Sequence, residues 1–167
     1  MSIGFNIRAQ EVYHEKIGDI ASVAFPLSAF ASTFIWKDDK KASLQFIKTM
    51  GTSLVVTHSL KRIINKQRPN GDNNLSFPSG HTSAAFTGAA FIERRYGLKA
   101  GIPAYLLASY VGWSRVYTRN HDYYDVIGSV IIGIGSAYLF TKPYQTKIEL
   151  TTGKIQGIQT IGLRINL

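Results

Sequence analysis

Lys61, Arg68, His81, Arg115, His121 and Asp125 are the side chains whose types and spacing could do chemistry, and they fall in two stretches. The first begins at Lys61, reaches Arg68-Pro69, and runs through Asn70, Gly71 and Asp72 to Phe77-Pro78-Ser79-Gly80-His81. Pro78 and Gly80 punctuate the chain just before an apolar segment. Ser79 or Gly80 is therefore expected near a helix N-cap, where unpaired N–H groups form an anion site. Lys61 adds a point charge, and Arg68 a planar fork that matches two phosphate oxygens.

The second stretch is Ser114-Arg115, then His121, then Asp125. His121 and Asp125 are spaced to share one face at the start of a helix. A carboxylate there can accept from one imidazole nitrogen, fix the tautomer and leave the other nitrogen nucleophilic. Arg115 offers another phosphate fork.

These are the parts of a phosphoryl transfer that needs no metal. His121 is the nucleophile and Asp125 its orienter, and His81 is a second imidazole able to act as acid on the leaving oxygen. Three cations and several N–H donors face the charge on the equatorial oxygens. No acidic cluster in the sequence reads as a magnesium or two-metal site, so no metal and no cofactor is expected.

The three pieces, Lys61-x6-Arg68-Pro69, Pro78-Ser79-Gly80-His81 and Ser114-Arg115-x5-His121-x3-Asp125, resemble the complete signature of the type-2 phosphatidic acid phosphatase (PAP2) superfamily. The resemblance covers Lys61 to Asp125 tightly and the helical pattern to about Phe140 loosely. It implies an all-α bundle with the active site at one end. It implies that Lys61, Arg68 and Arg115 bind phosphate with help from Ser79 and Gly80. It further implies that His121 attacks phosphorus, Asp125 orients it, His81 protonates the leaving group, and water then hydrolyses the phosphohistidine.

Five apolar stretches must position these residues: roughly Ile17–Trp36, Ala42–Leu60, His81–Ile92, Gly101–Trp113 and Val126–Phe140. Their apolar positions cover more than one face, which argues for buried helices. Basic residues cluster between stretches one and two (Lys37, Lys40, Lys41), between three and four (Arg94, Arg95, Lys99) and after five (Lys142). If the helices alternate up and down, all these clusters lie at one end, as the positive-inside rule requires of a membrane protein. The loops carrying the chemistry, and the N-terminus, then lie at the other. The first 16 residues, with Arg8, Glu11, His14 and Glu15, have no signal-peptide core.

The tail reads differently. Ile161, Leu163, Ile165 and Leu167 alternate with Gly162, Arg164 and Asn166, the pattern of a strand. The expected organisation is a helical catalytic domain over 1–142 and a short β-hairpin over 143–167.

The chain has 167 residues and a net charge of +9, with 45% hydrophobic and 17% charged residues. That length makes one domain with a real core. The pI is near 9.8 and the mean hydropathy close to zero. A basic surface suits an anionic lipid or a phosphorylated substrate, whereas the basic residues form no stripe with exposed aromatics of the kind a nucleic-acid binder shows. The absence of cysteine excludes disulfides, thiolate catalysis and cysteine-based metal sites.

The leading expectation is a phosphatase acting on a lipid or polyprenyl phosphate at a bacterial inner membrane, its pocket facing the periplasm. A soluble periplasmic acid phosphatase, or a phosphotransferase using the same intermediate, are the alternatives. A vanadium haloperoxidase shares the pocket design but is usually much longer. A non-enzymatic helical protein with decayed motifs would lack signature positions, and none is missing. Oligomeric state is left open. Among the remaining residues, His58 is expected in the core and His14 on the surface. Arg62, Lys66 and Arg119 are expected to be solvated or to meet headgroups, Asp122 to be surface, and Asp72 to serve a turn.

Overall fold

The computed structural model describes the backbone of residues 2–34, 41–144, 148–155 and 158–165, and the side chains of 9–34 and 41–144. Five helices make up the body: α1 (Ser2–Ser32), α2 (Ala42–Ile64), α3 (Gly80–Tyr96), α4 (Leu98–Tyr117) and α5 (Tyr123–Phe140). Each apolar stretch became a helix, and α1 begins well before Ile17. Trp36, Lys37 and Lys40 lie outside the described residues.

The helix ends follow local chemistry. Asn65 ends α2 in the left-handed region at φ 48°, its N–H returning to the Lys61 carbonyl, a conformation asparagine tolerates better than most residues. Ser79 starts α3 as N-cap, with its side chain accepting from the Thr82 N–H. Asp122 and Asp125 start α5 as a reciprocal capping box. These ends delimit the two loops that the chemistry was expected to occupy.

The central helix is α3, packed against all four others. Its face toward α4 buries Ala85, Phe86 and Ala89 against Ala104, Ala108 and Val111. Toward α1 and α2, Phe91 meets Ala29 and Phe46, with the Phe46 and Phe91 rings edge-to-face at 5.0 Å. Against α5 the backbones nearly touch: a Cβ on Gly133 would sit 2.8 Å from the Thr87 nitrogen.

The interior is small and hydroxyl-rich. Thr57 donates to Ser83 at 3.0 Å, Thr87 to Ser53 at 2.8 Å, and Thr49 pairs with Thr141 at 3.1 Å. Large apolar side chains such as Val23, Leu27, Val55, Leu106, Ile131 and Leu139 point outward and are exposed. Small residues inside and hydroxyl bonds between helices are how helices associate in lipid, where each such bond contributes about 0.6–2 kcal/mol. Tyr123–Phe140 is long and apolar enough to cross a membrane by length and composition.

The helices alternate in direction. The backbone N–H of Tyr144 bonds the Arg95 carbonyl, and that of Lys142 bonds Gln45. The end of α3, the end of α5 and the start of α2 therefore lie together with Arg94, Arg95, Lys99 and Lys142. Beyond the bundle, β1 (Ile148–Ile155) and β2 (Ile158–Ile165) run antiparallel with Ile148 opposite Ile165. The side chains of the tail, and with them the expected alternation, lie outside the described residues.

Candidate active site

The end of the bundle opposite those basic clusters gathers the signature. Lys61, in the last turn of α2, is nearly buried and donates to the Leu75 carbonyl at 2.6 Å and, more distantly, to that of Ser76. Its stem passes the start of α3, since a Cβ on Gly80 would meet Lys61 Cε at 3.9 Å. The intervening loop is built as a compact turn. Gly71, at φ 78°, bonds back to the Arg68 carbonyl, and the Arg68 N–H bonds the Asn73 carbonyl. Asp72 sits in that turn, exposed, as expected. Arg68 Nε is buried with no hydrogen-bond partner, a donor that an anion would satisfy.

Ser79 is completely buried and its hydroxyl is committed to Thr82. Its backbone N–H donates to the Asp125 carbonyl at 3.3 Å, and Ser129 donates to the Ser79 carbonyl at 2.9 Å. The Pro78-Ser79-Gly80-His81 turn is thus pinned to the first turn of α5. Gly80 and His81 open α3, where the first N–H groups have no intrahelical acceptor. The His81 side chain is exposed.

His121 lies just outside α5, one residue before the N-cap, rather than on the helix face. Its backbone N–H bonds the Arg115 carbonyl at 3.1 Å, so the end of α4 sets its place. The ring is buried, with Nδ1 at 3.4 Å from Oδ2 of Asp125, short of an aligned hydrogen bond. Burial pushes the imidazole pKa down to about 4, the charges of Lys61 and Arg68 add to the effect, and Asp125 opposes it. His121 is therefore neutral at pH 7, the state in which a ring nitrogen is nucleophilic.

Asp125 is fully buried and held from three sides. Lys66 donates to Oδ1 at 2.8 Å, while the Ser76 hydroxyl and the Asp122 backbone N–H, at 3.1 Å, donate to Oδ2. Lys66 also pairs with the Asp122 carboxylate. The lysine lies in the loop after α2. Burial alone would lower its pKa, but its hydrogen bonds to the two aspartates outweigh that and raise it. The expectation that Lys66 is solvated and Asp122 mere surface was wrong. They form the frame that fixes the Asp125 carboxylate.

Arg115 is buried and does not stand as a free fork. Nη1 donates to Asp19 Oδ1 at 2.6 Å, Nη2 to the Glu15 carbonyl at 2.8 Å, and Nε to Ser114 Oγ at 3.2 Å. Glu15 also accepts from Asn120 at 2.8 Å. The α1 residues of the site escaped the sequence reading, although a lone acidic residue inside an apolar stretch is itself a signal. Two histidines were misplaced. His58 is exposed, whereas His14 is half-buried, bonded to Tyr110 at 2.9 Å and wedged among Tyr110, Trp113 and Tyr117.

Among the described residues no three His, Asp or Glu side chains come together as a metal site. The arrangement brings two imidazoles, three cations and a helix N-terminus together at one end of the bundle, which suits an anion carrying charge on several oxygens.

The same arrangement defines a class. The PAP2 superfamily model matches residues 42–149, and the chain belongs to that superfamily. Lipid A 4'-phosphatase of Helicobacter pylori is 38% identical over 81 residues, which are 48% of this chain and 41% of that protein. This chain therefore spans less than half of that relative's length. Lipid A 1-phosphatase of the same organism is 29% identical over 155 residues, 85% of this chain and 74% of the relative. The crystal structure of Aquifex aeolicus LpxE superposes with a TM-score of 0.66 at 26% identity, covering 78% of this chain and 84% of that one.

Proposed function

We propose that this protein is a metal-independent phosphatase that removes phosphate from a membrane lipid, working through a phosphohistidine. The observation that carries the reading is the convergence of every signature residue at one end of a bundle whose family is known. In this reading Lys61, Arg68 and the remaining N–H groups of Arg115, with Gly80 at the start of α3, hold the phosphate, while Ser79, its hydroxyl oxygen accepting from Thr82 and its N–H bonded to Asp125, shapes the turn. The neutral His121 attacks phosphorus, and Asp125, fixed by Lys66 and Ser76, compensates the charge that develops on the ring. His81 gives a proton to the leaving oxygen and later takes one from the hydrolytic water.

The lipid substrate and the membrane setting rest on two features. Exposed large apolar side chains surround the helices over a hydroxyl-lined interior. A groove of about 500 Å3 between α1 and α2, lined by residues such as Val23, Leu27, Phe46 and Leu54, begins one turn from Asp19 and His81 at Ser22 and Ala84. The names of the relatives make a lipid A-type phosphate the first substrate to try. With Arg94, Arg95, Lys99 and Lys142 at the cytoplasmic end, the pocket opens to the periplasm. The catalytic unit is residues 1–142, and the tail over 143–167 is an addition to it.

The test is phosphate release in excess EDTA from lipid A, short-chain phosphatidic acid and p-nitrophenyl phosphate, by wild type and His121→Ala. Release that is strongest on lipid and abolished by the substitution supports the reading. Turnover near wild type in His121→Ala would sink the phosphohistidine, and preference for the water-soluble ester would move the substrate away from lipids.

A further inference from the structure

α1 brings into the site a carboxylate that the three-part signature does not contain. Asp19 Oδ1 lies 3.3 Å from His81 Nε2 and 2.6 Å from Arg115 Nη1. The seat is a tight one. At the neighbouring Gly18 any Cβ would collide with the Arg115 guanidinium and the Ser114 hydroxyl, so the α1 backbone lies directly against these α4 side chains. One turn earlier the Glu15 carbonyl takes a second Arg115 nitrogen, and one turn later Ser22 Oγ bonds the Asp19 carbonyl at 2.7 Å.

A carboxylate beside a phosphate pocket repels the ligand, so its presence calls for a compensating role. The groups acting on His81 are Arg115 from α4, Lys61 from α2, Arg68 from the loop and Asp19 from α1. Three are cations, which disfavour the imidazolium that an acid catalyst must become. Asp19 is the opposing charge, and its Oδ1 stands 3.3 Å from one particular ring nitrogen, Nε2.

We propose that Asp19 is a positioning residue for His81: it accepts the Nε2–H, so that Nδ1 is the nitrogen that trades protons with the substrate. The proposal rests on the phosphohistidine reading above. In the first step the His121–phosphorus bond forms as the ester P–O bond breaks, and the proton on His81 Nδ1 passes to the leaving oxygen. In the second, water attacks phosphorus, the N–P bond breaks, and Nδ1 takes the water proton. Nε2 keeps its proton, shared with Asp19, throughout. The site then holds two histidine–carboxylate pairs of opposite sense, His121 through Nδ1 and His81 through Nε2.

The test uses leaving groups that differ in their need for an acid. p-Nitrophenolate departs unaided, whereas the alcohol of short-chain phosphatidic acid needs its proton. Asp19→Asn should lose about tenfold or more in kcat on the lipid, within the reach of general acid catalysis, and less than about threefold on the aryl ester. Equal loss on both overturns the proposal in favour of a role through Arg115, and no loss on either overturns it outright. Asp19→Asn in a His81→Asn background should add no selective loss on the lipid. If Asp19→Asn does not fold, 15N-histidine NMR of the wild type in detergent decides, with His81 assigned by comparison with His81→Asn. The neutral ring must be the Nε2–H tautomer, and the Nδ1–H tautomer overturns the proposal. A wild type inactive on both esters would instead remove the phosphatase reading itself.

Discussion

Lys66 donates to Oδ1 of Asp125 at 2.8 Å, so the carboxylate beside His121 is neutralised from the loop after α2. Removing that ammonium leaves a fully buried carboxylate with two neutral donors. A hydrogen bond to a buried charge is worth about 1.5–3 kcal/mol. Lys66→Met is expected to lower kcat by about 10–100-fold with little change in KM, because in the proposed mechanism the residue acts through the nucleophile and not on the phosphate. Lys66→Arg should restore part of the rate. Steady-state kinetics on p-nitrophenyl phosphate measures this, and an unchanged kcat in Lys66→Met would show that Ser76 and the Asp122 N–H suffice.

Gly18→Ala probes the contact of α1 with α4. The added methyl overlaps Arg115 and Ser114, both buried. Overpacking of this kind costs about 1–3 kcal/mol. The variant should melt at a lower temperature in detergent and lose activity, since the strain falls on the guanidinium. Gly51→Ala is the control, because a Cβ there meets nothing within 4 Å. Equal melting temperatures for the two variants would show that α1 yields without cost.

The helices and the signature were legible because their signals are local. Pro78-Ser79-Gly80 marks a helix start wherever it occurs, and Asp125 declares itself by its spacing from His121. The frame around them was not legible, because it depends on which loops meet. Nothing in the order Lys61, Arg62, Lys66 says that the last faces Asp125 while Arg62 stays exposed. Asp19 is separated from Arg115 by 96 positions, a pairing that only the crossing of α1 over α4 creates. His58 was misjudged because burial in this bundle favours small hydroxyl residues, so that neighbouring Thr57 takes the inward position.

The buried neutral state of His121 links stability to pH. Its folded pKa, about 4, lies below the ordinary 6.5, so the unfolded chain binds the proton that the folded chain refuses. The contribution of His121 to stability is whole above pH 6.5 and is lost as pH falls from 6.5 toward 4. Denaturation midpoints across that window should fall less steeply for His121→Asn than for wild type. Parallel curves would mean that His121 protonates in place without penalty.

The exposed apolar surface makes the last prediction. Val55 and Ile131 are 67% exposed and Leu139 74%, and such side chains recur on α1, α2, α4 and α5 with no covering element among the described residues. Monomeric soluble proteins rarely leave contiguous apolar patches beyond a few hundred Å2 open to water. Inside the bundle, Thr49, Ser53, Thr57 and Thr87 occupy buried positions where a water-soluble core would place larger aliphatic residues. The protein should therefore remain with membranes through alkaline carbonate and high salt, and leave them only with detergent. Charge substitution should separate the two surfaces: Ile131→Lys should impair insertion, whereas the same change at exposed Arg62, already basic and near the site end of α2, should be tolerated. Recovery of folded, active protein in the detergent-free soluble fraction would overturn the membrane setting and favour a soluble phosphatase of the same chemistry.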